Sequence, residues 1–221
     1  MVVEIRKPEN REELLQAQTA KNEAWGFLAG LDVTKKGANG EYPQGSIMPI
    51  YENYPEGFLT AFVNGEGAGN FTLLRLNYDV KNPPHVSWEE LTAAGTGSNV
   101  VKDGNTLYGS SLGVSPRFRG QNIGAMLVYN ALRRTVELGC KQFVLGCRIP
   151  DYYKHCDIPV EQYITLKRHD GEFMDRELRF YSRCGLRFLK PLPDYMVGNW
   201  ADPDSLNYGV LSIWNNPFYK E

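Results

Sequence analysis

The sequence predicts a mixed α/β fold, in which one mixed sheet carries helices on both of its faces. The first observation is composition, since 221 residues with 42% hydrophobic and 23% charged side chains can bury a core without disulfides or metals. The second is order, because strand and helix patterns follow one another as β-α-loop-β-β-β-α-β-α-α-β-β. We therefore expect a single domain over residues 1–221, with an irregular insertion at about residues 25–57.

The first strand and the first helix have clear boundaries in the sequence. Residues 2–6 alternate as a strand does, and a proline ends the pattern. Asn10 is placed to cap a helix that runs to residue 24, and Glu13 is placed to complete a capping box. Residues 25–57 are rich in glycine, proline and tyrosine and show no periodicity, which predicts an irregular excursion.

The middle of the chain predicts a hairpin, followed by a strand that leads into a long helix. Two strands, 58–63 and 71–78, flank a glycine-rich stretch that we expect to form a loose loop. Residues 106–114 predict another strand, and residues 122–138 carry the strongest helical pattern, which Gly139 closes. The other predicted elements are a helix at 88–91, a strand at 142–147, helices at 159–163 and 175–183, and strands at 186–192 and 208–214.

Charge and cysteine usage exclude several classes of function. The 24 Lys and Arg residues against 26 Asp and Glu residues give a net charge of -2, which argues against a nucleic-acid-binding protein. The chain has no signal-peptide pattern and no apolar stretch long enough to span a membrane, so we expect a cytoplasmic protein without a membrane partner. The four cysteines form no C-x-x-C pair, which favours reduced, mostly buried thiols over a metal site.

The stretch that carries chemistry joins the strand at 106–114 to the helix at 122–138. The first amides of a helix lack internal partners and lie at the positive end of its dipole. With glycine at positions 120 and 124, a phosphate can approach this backbone closely. The stretch lacks both the Lys-Ser/Thr pair of a P-loop and the G-x-G-x-x-G spacing of a dinucleotide site. By itself it fits a pyrophosphate cradle and an ordinary strand-to-helix turn equally well.

Two motifs in this half of the chain resemble those of the GNAT superfamily of N-acyltransferases. Arg119-x-x-Asn122-x-Gly124 resembles the family's Q/R-x-x-G-x-G/A acyl-CoA loop, with asparagine where glycine is usual. Asparagine tolerates positive φ better than most residues, so the conformation of the loop stays accessible. Residues 180–186 resemble the family's Y-x-x-x-G-F helix end, and Tyr181 occupies the position of the tyrosine that commonly serves as general acid.

Further segments resemble one GNAT branch that is often fused to carbon–nitrogen hydrolase (nitrilase-like) domains. They occur in order from about residue 88 to the C-terminus, and no hydrolase-like segment accompanies them. The segments are residues 88–91, 105–109, 146–152, 160–163, 192–195 and 214–217.

The resemblance implies a GNAT-like fold with a central, mostly antiparallel sheet, in which the strands at 106–114 and 142–147 splay apart. It implies an N-acetyltransferase that uses acetyl-CoA, or another acyl-CoA, as co-substrate and needs no metal. The acceptor would be a small-molecule amine or an exposed amino group of a peptide, and a homodimer or a nitrilase-like hydrolase partner is compatible with this. Tyr181 would protonate the departing CoA thiolate. The residues implied to bind the cofactor are Leu112, Gly113, Val114, Arg119, Gly120, Gln121, Asn122, Ile123, Gly124 and Ala125.

The sequence leaves the general base, the cations for the CoA phosphates and the acceptor wall open. A base is needed because an amine with a pKa of about 10.4 is almost fully charged at neutral pH. Since no base is obvious, a non-catalytic acyl-CoA-binding sensor or partner-docking module is the alternative function, and a plain scaffold domain is a third. The candidate bases are Asp151, His155, Asp157 and Glu56, the candidate cations Arg117, Arg119 and Arg148, and the candidate wall residues Trp25, Phe27, Tyr42, Tyr51 and Tyr54.

Overall fold

A computed structural model describes residues 1–26 and 35–220 of the chain. Its centre is a seven-stranded sheet of order β1-β2-β3-β4-β5-β7-β6. The β4–β5 pair is parallel, and the other neighbouring pairs are antiparallel, which confirms the mostly antiparallel mixed sheet. The strands are β1 Val3–Arg6, β2 Phe58–Val63, β3 Glu66–Leu76, β4 Thr106–Val114, β5 Gln142–Arg148, β6 Arg187–Leu192 and β7 Gly209–Asn215.

Helices cover both faces of this sheet, as predicted. On one face, α1 and α2 contribute Ala17 and Ile50 to a core that includes Tyr108 of β4. On the other face, α4 and α6 contribute Leu127 and Leu178 to a larger core. No helix among the described residues is long and apolar enough to cross a bilayer. The helices are α1 Arg11–Trp25, α2 Met48–Asn53, α3 Trp88–Thr92, α4 Ile123–Glu137, α5 Val160–Tyr163 and α6 Arg176–Arg183.

The start of α1 confirms one half of the predicted capping box and contradicts the other. The Asn10 side chain accepts a hydrogen bond from the Glu13 amide at 3.0 Å, as a cap does. The Glu13 carboxylate, however, accepts from the amide of Glu9 at 2.8 Å instead of that of Asn10. Arg6 of β1 holds this carboxylate with two bonds of 2.7 and 2.8 Å and lowers the pKa of Glu13 to about 2. The tertiary ion pair with Arg6 thus takes the place of the local capping hydrogen bond that was expected between Glu13 and the Asn10 amide.

The loop between the first two hairpin strands is a tight turn, so the predicted loose loop is wrong. Asn64 and Gly65 have φ values of 50° and 85°, and β3 already begins at Glu66. Asparagine followed by glycine favours such left-handed two-residue turns, which match the twist of the strands. The remaining glycine-rich residues belong to β3 and pair with β2, with a register shift after Ala61.

The excursion that was expected to be irregular contains a short helix. In α2, Ile50 is buried, and Ile47 just before it is buried as well. Because α2 spans only 6 residues, it gives too few turns for a helical period to be recognised in the sequence. The expected wall residue Phe27 lies outside the described residues.

The sheet opens between β4 and β5, which confirms the predicted splay. The two strands pair from Thr106 opposite Gln142 to Gly109 opposite Leu145. Beyond this point β4 stays paired with β3, while β5 stays paired with β7 as far as Arg148. The register of β3 against β4 shifts at Ser110, and a bulge of this kind bends a strand and increases its twist. The opening is therefore part of the strand geometry.

Candidate active site

A cavity of about 410 Å³ fills the opening between β4 and β5. From one face of the sheet it is lined by Lys21 and Trp25 of α1, and from the other by Glu177 and Tyr181 of α6. Such a volume suits a small ligand or one end of a larger one. Because the strands have separated here, two reactants can approach the same point from opposite faces.

Tyr181, the predicted general acid, lies in the wall of this cavity. Its side chain is 7% exposed and forms an edge-on contact with Phe180, at 4.9 Å between ring centroids. Burial raises the pKa of Tyr181 well above the ordinary tyrosine value, and the neighbouring Glu177 adds to this. The phenol is therefore protonated at neutral pH, which is the state that an acid needs before transfer.

Glu177 is a cavity residue that the sequence analysis missed. It precedes Tyr181 by one helical turn on α6, so the two side chains share a face. Burial raises the pKa of Glu177 to about 7, and the positive charge of Arg148 opposes this rise. A carboxyl group that titrates near neutral pH suits a general base. The spacing of four residues before the expected acid was the signal in the sequence that pointed to it.

Arg148 belongs to the cavity lining and does not lie at the loop before α4. Its guanidinium donates two hydrogen bonds to the Asp202 carboxylate, at 2.6 and 2.7 Å. It also lies above the Trp25 ring, with 5.9 Å from its central carbon to the ring centroid. Asp202 follows β6 in the chain, so the ion pair connects β5 to the segment before β7. The hypothesis that Arg148 binds CoA phosphates finds no support in this position.

The end of β4 presents backbone groups to the opening. Val114 lies opposite Gly69, and the next residue, Ser115, donates its amide to the Ala68 carbonyl at 2.9 Å. Since the direction of backbone groups alternates along a strand, the N–H and C=O of Leu112 and Val114 point away from β3 and toward β5. Gly113 lies under α1, where a β-carbon would come within 2.8 Å of the Trp25 indole nitrogen.

The loop before α4 leaves the first amides of that helix without a side-chain cap. Asn122, at the cap position, has φ 62° and forms no capping hydrogen bond through its side chain. Gly120 has φ 78°, with open space where a β-carbon would be. Gln121 is exposed as well. The first amides of α4 are those of Ile123, Gly124 and Ala125. These features fit an anion site at the start of the helix.

Gly124 lies against a ring of α6, whereas the sequence suggested open space for a phosphate at this position. A β-carbon there would lie 3.3 Å from the Phe180 ring of α6. The absence of a side chain at this position therefore lets α4 and α6 approach each other, close to where Tyr181 follows Phe180.

Two arginine candidates remain, Arg117 and Arg119. Among the described residues, Arg119 has no carboxylate partner, whereas Arg117 has two. The Arg119 side chain is exposed and donates to the Val114 carbonyl at 3.3 Å. Arg117 instead pairs with Glu66 at 2.5 Å and with Glu23 at 3.4 Å. Arg119 therefore remains the candidate cation for phosphate.

Three tryptophans contribute to the aromatic part of the cavity wall, beside Phe71, Tyr181 and Tyr195. Trp25 is the one predicted wall residue that lines the cavity among those described, and Trp88 and Trp200 join it. The rings of Trp88 and Trp200 pack edge-on, 4.7 Å apart, and the Trp88 indole donates to the Ser110 carbonyl at 2.9 Å. The other predicted wall residues lie elsewhere: Tyr42 bonds to Glu52, Tyr51 to the Pro8 carbonyl, and Tyr54 packs near Gly57.

The four candidate bases from the sequence do not line this cavity. The Asp151 carboxylate binds Lys154 and Arg176. His155 packs against the Tyr163 ring, and Glu56 pairs with Lys7. Asp157 is an exposed residue next to this loop.

The cysteines are unpaired thiols, as expected, and three of the four are buried. Cys147 lines the cavity, where burial raises the pKa of its thiol well above the usual value. A thiol in this state is a poor nucleophile. In the described part of the chain, no group of three or more ligating side chains could hold a metal ion.

The sequence matches the acetyltransferase (GNAT) family over residues 31–155. It is 36% identical over 171 residues to the uncharacterized N-acetyltransferase YkwB of Bacillus subtilis, covering 77% of this chain and 73% of that protein. It is 30% identical over 175 residues to the probable hydrolase YhcX of the same organism, covering 78% of this chain and 33% of that protein.

A solved structure similar to this one is that of the GNAT-like decarboxylase GphF in complex with isobutyryl-CoA. The TM-score is 0.72 at 18% identity, with 96% of this chain and 99% of the other covered, so the likeness is one of fold. The splayed sheet, the uncapped helix start and the match to the family agree with one another. The chain belongs to the acetyltransferase (GNAT) family and is an acyltransferase.

Proposed function

We propose that the protein transfers the acetyl group of acetyl-CoA directly to a primary amine, with Glu177 as general base and Tyr181 as general acid. The observation that carries this proposal is the placement of Glu177 and Tyr181 on one face of α6, in the wall of the cavity between β4 and β5. Burial gives the two groups different proton affinities, as an acid–base pair requires.

The donor substrate is proposed to bind on the face of the sheet that carries α4. Its pyrophosphate would accept hydrogen bonds from the amides of residues 120–125, with Arg119 beside them. Each charge-assisted bond of this kind contributes about 1.5 to 3 kcal/mol. The pantetheine arm would extend along the backbone groups of Leu112 and the N–H of Val114, which point away from β3, so that the thioester reaches the cavity. The acyl-CoA bound to GphF supports a donor of this class.

The acceptor enters as an ammonium ion and gives one proton to the Glu177 carboxylate. The neutral amine then attacks the thioester carbonyl carbon, and a backbone N–H of β4 stabilises the oxyanion. When the carbon–sulfur bond breaks, Tyr181 protonates the thiolate, and the Tyr181 phenolate then takes up the second proton of the nitrogen. Glu177 gives its proton to solvent, which restores both side chains. The products are the amide, CoA thiol and one proton released to solvent. Burial weakens Tyr181 as an acid, but the same dry surroundings raise the proton affinity of the thiolate.

The alternative is a non-catalytic acyl-CoA-binding sensor, or a module that docks to a partner such as a separate hydrolase. It would share the helix start and the strand edge but would not need a carboxyl group near pKa 7 beside a buried phenol. The cavity on the acceptor face, with its aromatic wall, also favours a second reactant.

Calorimetry followed by a turnover assay tests the proposal. Acetyl-CoA should bind in the micromolar range, and release of CoA thiol should then depend on an added primary amine. Absence of binding at high micromolar concentration would overturn the proposal for the donor. Binding without CoA release across a mixed panel of amines would favour the sensor.

A further inference from the structure

We infer that the acceptor carries a carboxylate group and that the Lys21 ammonium binds it inside the cavity. This inference rests on the proposed function and adds a substrate class to it. Lys21 lies on α1, one helical turn before Trp25, and both side chains line the cavity. The Lys21 side chain is half-buried and has no carboxylate or other side-chain partner among the described residues.

Lys21 differs in this respect from the second cation of the cavity. Arg148 is bonded to Asp202 through two nitrogens, so its charge is already balanced. Lysine side chains are rarely buried without a partner, because removing an ammonium from water is costly. A cation that faces a cavity and has no counter-ion in the described part of the chain is therefore a candidate site for an anionic group of the substrate.

The electrostatics of the site agree with this placement. Burial lowers the pKa of Lys21 to about 8, so the side chain is still mostly protonated at neutral pH. A bound carboxylate would favour the charged form and restore the ordinary pKa. Glu177 cannot supply this partner without losing its role as base, and Asp202 is engaged with Arg148.

The position of α1 indicates which substrate carries the carboxylate. The helix start proposed to bind the CoA pyrophosphate lies on the face of α4, whereas α1 packs on the opposite face with Tyr108. The acceptor would enter from the face of α1, past Trp25, Trp88 and Trp200. These rings can pack against the methylene groups that separate an amine from a carboxylate.

Matched acceptors test the inference. With saturating acetyl-CoA, we would measure kcat/KM for ω-amino carboxylates from glycine to ε-aminocaproate, and for the alkylamine of equal chain length in each case. The wild type should prefer the carboxylate by about 10- to 100-fold at the best chain length. Lys21→Met should remove this preference through KM, and Lys21→Arg should retain part of it. Lys81→Met, at an exposed position, is the control and should behave as the wild type.

Three results would overturn the inference. The first is equal kcat/KM for both members of each pair in the wild type, and the second is a preference that persists in Lys21→Met. A third would be a Lys21→Met defect confined to malonyl-CoA as donor, which would place the carboxylate on the acyl group. Tryptophan fluorescence provides a readout that does not need turnover. If no amine is acetylated, the proposed function fails, but titration of the CoA-bound protein with γ-aminobutyrate and with butylamine still reports on Lys21.

Discussion

Glu177 and Tyr181, the proposed base and acid, show how burial can give neighbouring side chains different proton affinities. Both lie on the cavity side of α6, and in both cases burial disfavours the charged form. For a carboxyl group this brings the pKa to about 7, while for a phenol it keeps the proton bound throughout the neutral range. Arg148 counteracts the rise in the pKa of Glu177 and so helps to keep the proposed base near neutral pH.

Replacing Glu177 should change both the rate and its pH dependence. Loss of a general base lowers turnover by about 10²- to 10⁴-fold, so we expect a drop in this range for Glu177→Gln. In the wild type, kcat/KM should rise with pH through about 7, because the carboxylate is the active form. The variant should lack this rising limb when the profile is measured with saturating acetyl-CoA. An unchanged profile would remove Glu177 from the mechanism.

Tyr181→Phe tests the acid separately from the base. The variant keeps the ring that packs against Phe180 and loses only the hydroxyl. Turnover should fall by about 10²-fold, with acetyl-CoA affinity nearly unchanged in calorimetry. Tyr153→Phe, at an exposed tyrosine outside the cavity, is a matched control. Equal turnover in Tyr181→Phe and the control would show that the hydroxyl takes no part in the reaction.

At the scale of elements, the start of α4 depends on two left-handed residues. Gly120 and Asn122 have φ values of 78° and 62°, and the Asn122 side chain does not cap the helix. This conformation leaves the amides of residues 123–125 without a side-chain cap, so that a phosphate could accept from them. The asparagine that departs from the usual glycine is therefore compatible with the loop geometry.

Two substitutions of Asn122 separate backbone conformation from side-chain chemistry. Asn122→Gly should retain CoA affinity, because glycine adopts positive φ without strain. Asn122→Val should weaken CoA binding about tenfold and cost about 1 to 2 kcal/mol of stability, because a branched side chain disfavours this region. Thermal unfolding with and without CoA measures both effects. A loss of affinity in the glycine variant equal to that in the valine variant would point to a direct side-chain contact instead.

At the scale of the whole molecule, the cavity exists because the central sheet is opened. The β4–β5 pairing ends at Gly109 and Leu145, and each strand keeps its outer neighbour. The Arg148–Asp202 ion pair connects the free edge of β5 to the chain before β7. The opening places titratable groups in a partly dry space, which lowers stability but creates the conditions for proton transfer.

The stability cost of Glu177 gives a prediction for the folded protein as a whole. Its pKa is about 7 in the folded state, above the ordinary 4.5, so the folded state binds more protons between these values. This contribution to stability is present below the unfolded pKa and is lost as the pH rises toward 7. Glu177→Gln should therefore be about 1 to 2 kcal/mol more stable than the wild type at about pH 8, after allowance for its partial exposure.

Urea denaturation of both proteins on the two sides of this pH window measures the effect. The variant should be more stable and less active at once, which a residue with a purely structural role would not produce. An identical dependence of stability on pH in both proteins would contradict the raised pKa of Glu177.

Local sequence patterns determined much of the fold and the loop that is proposed to bind the donor. The strands β2 and β4 occupy the predicted residues 58–63 and 106–114, because their composition and their stop signals are local. The positive φ of Asn122 and the position of Tyr181 at the end of α6 also follow from neighbouring residues. Local patterns failed where a distant partner decided the outcome, as when Arg6 drew Glu13 away from the cap.

Only the tertiary structure decided which residues meet in the cavity. Lys21, Arg148, Glu177 and Asp202 come from distant parts of the chain, and no local spacing relates all four. Their protonation depends on burial and on charges from other elements, which a local pattern does not specify. The sequence by itself thus determined the family, the strand-to-helix loop and the candidate acid. The proposed base, the lysine that lacks a partner among the described residues and the shape of the proposed acceptor site were decided by packing, because burial exists only once the separate elements have come together.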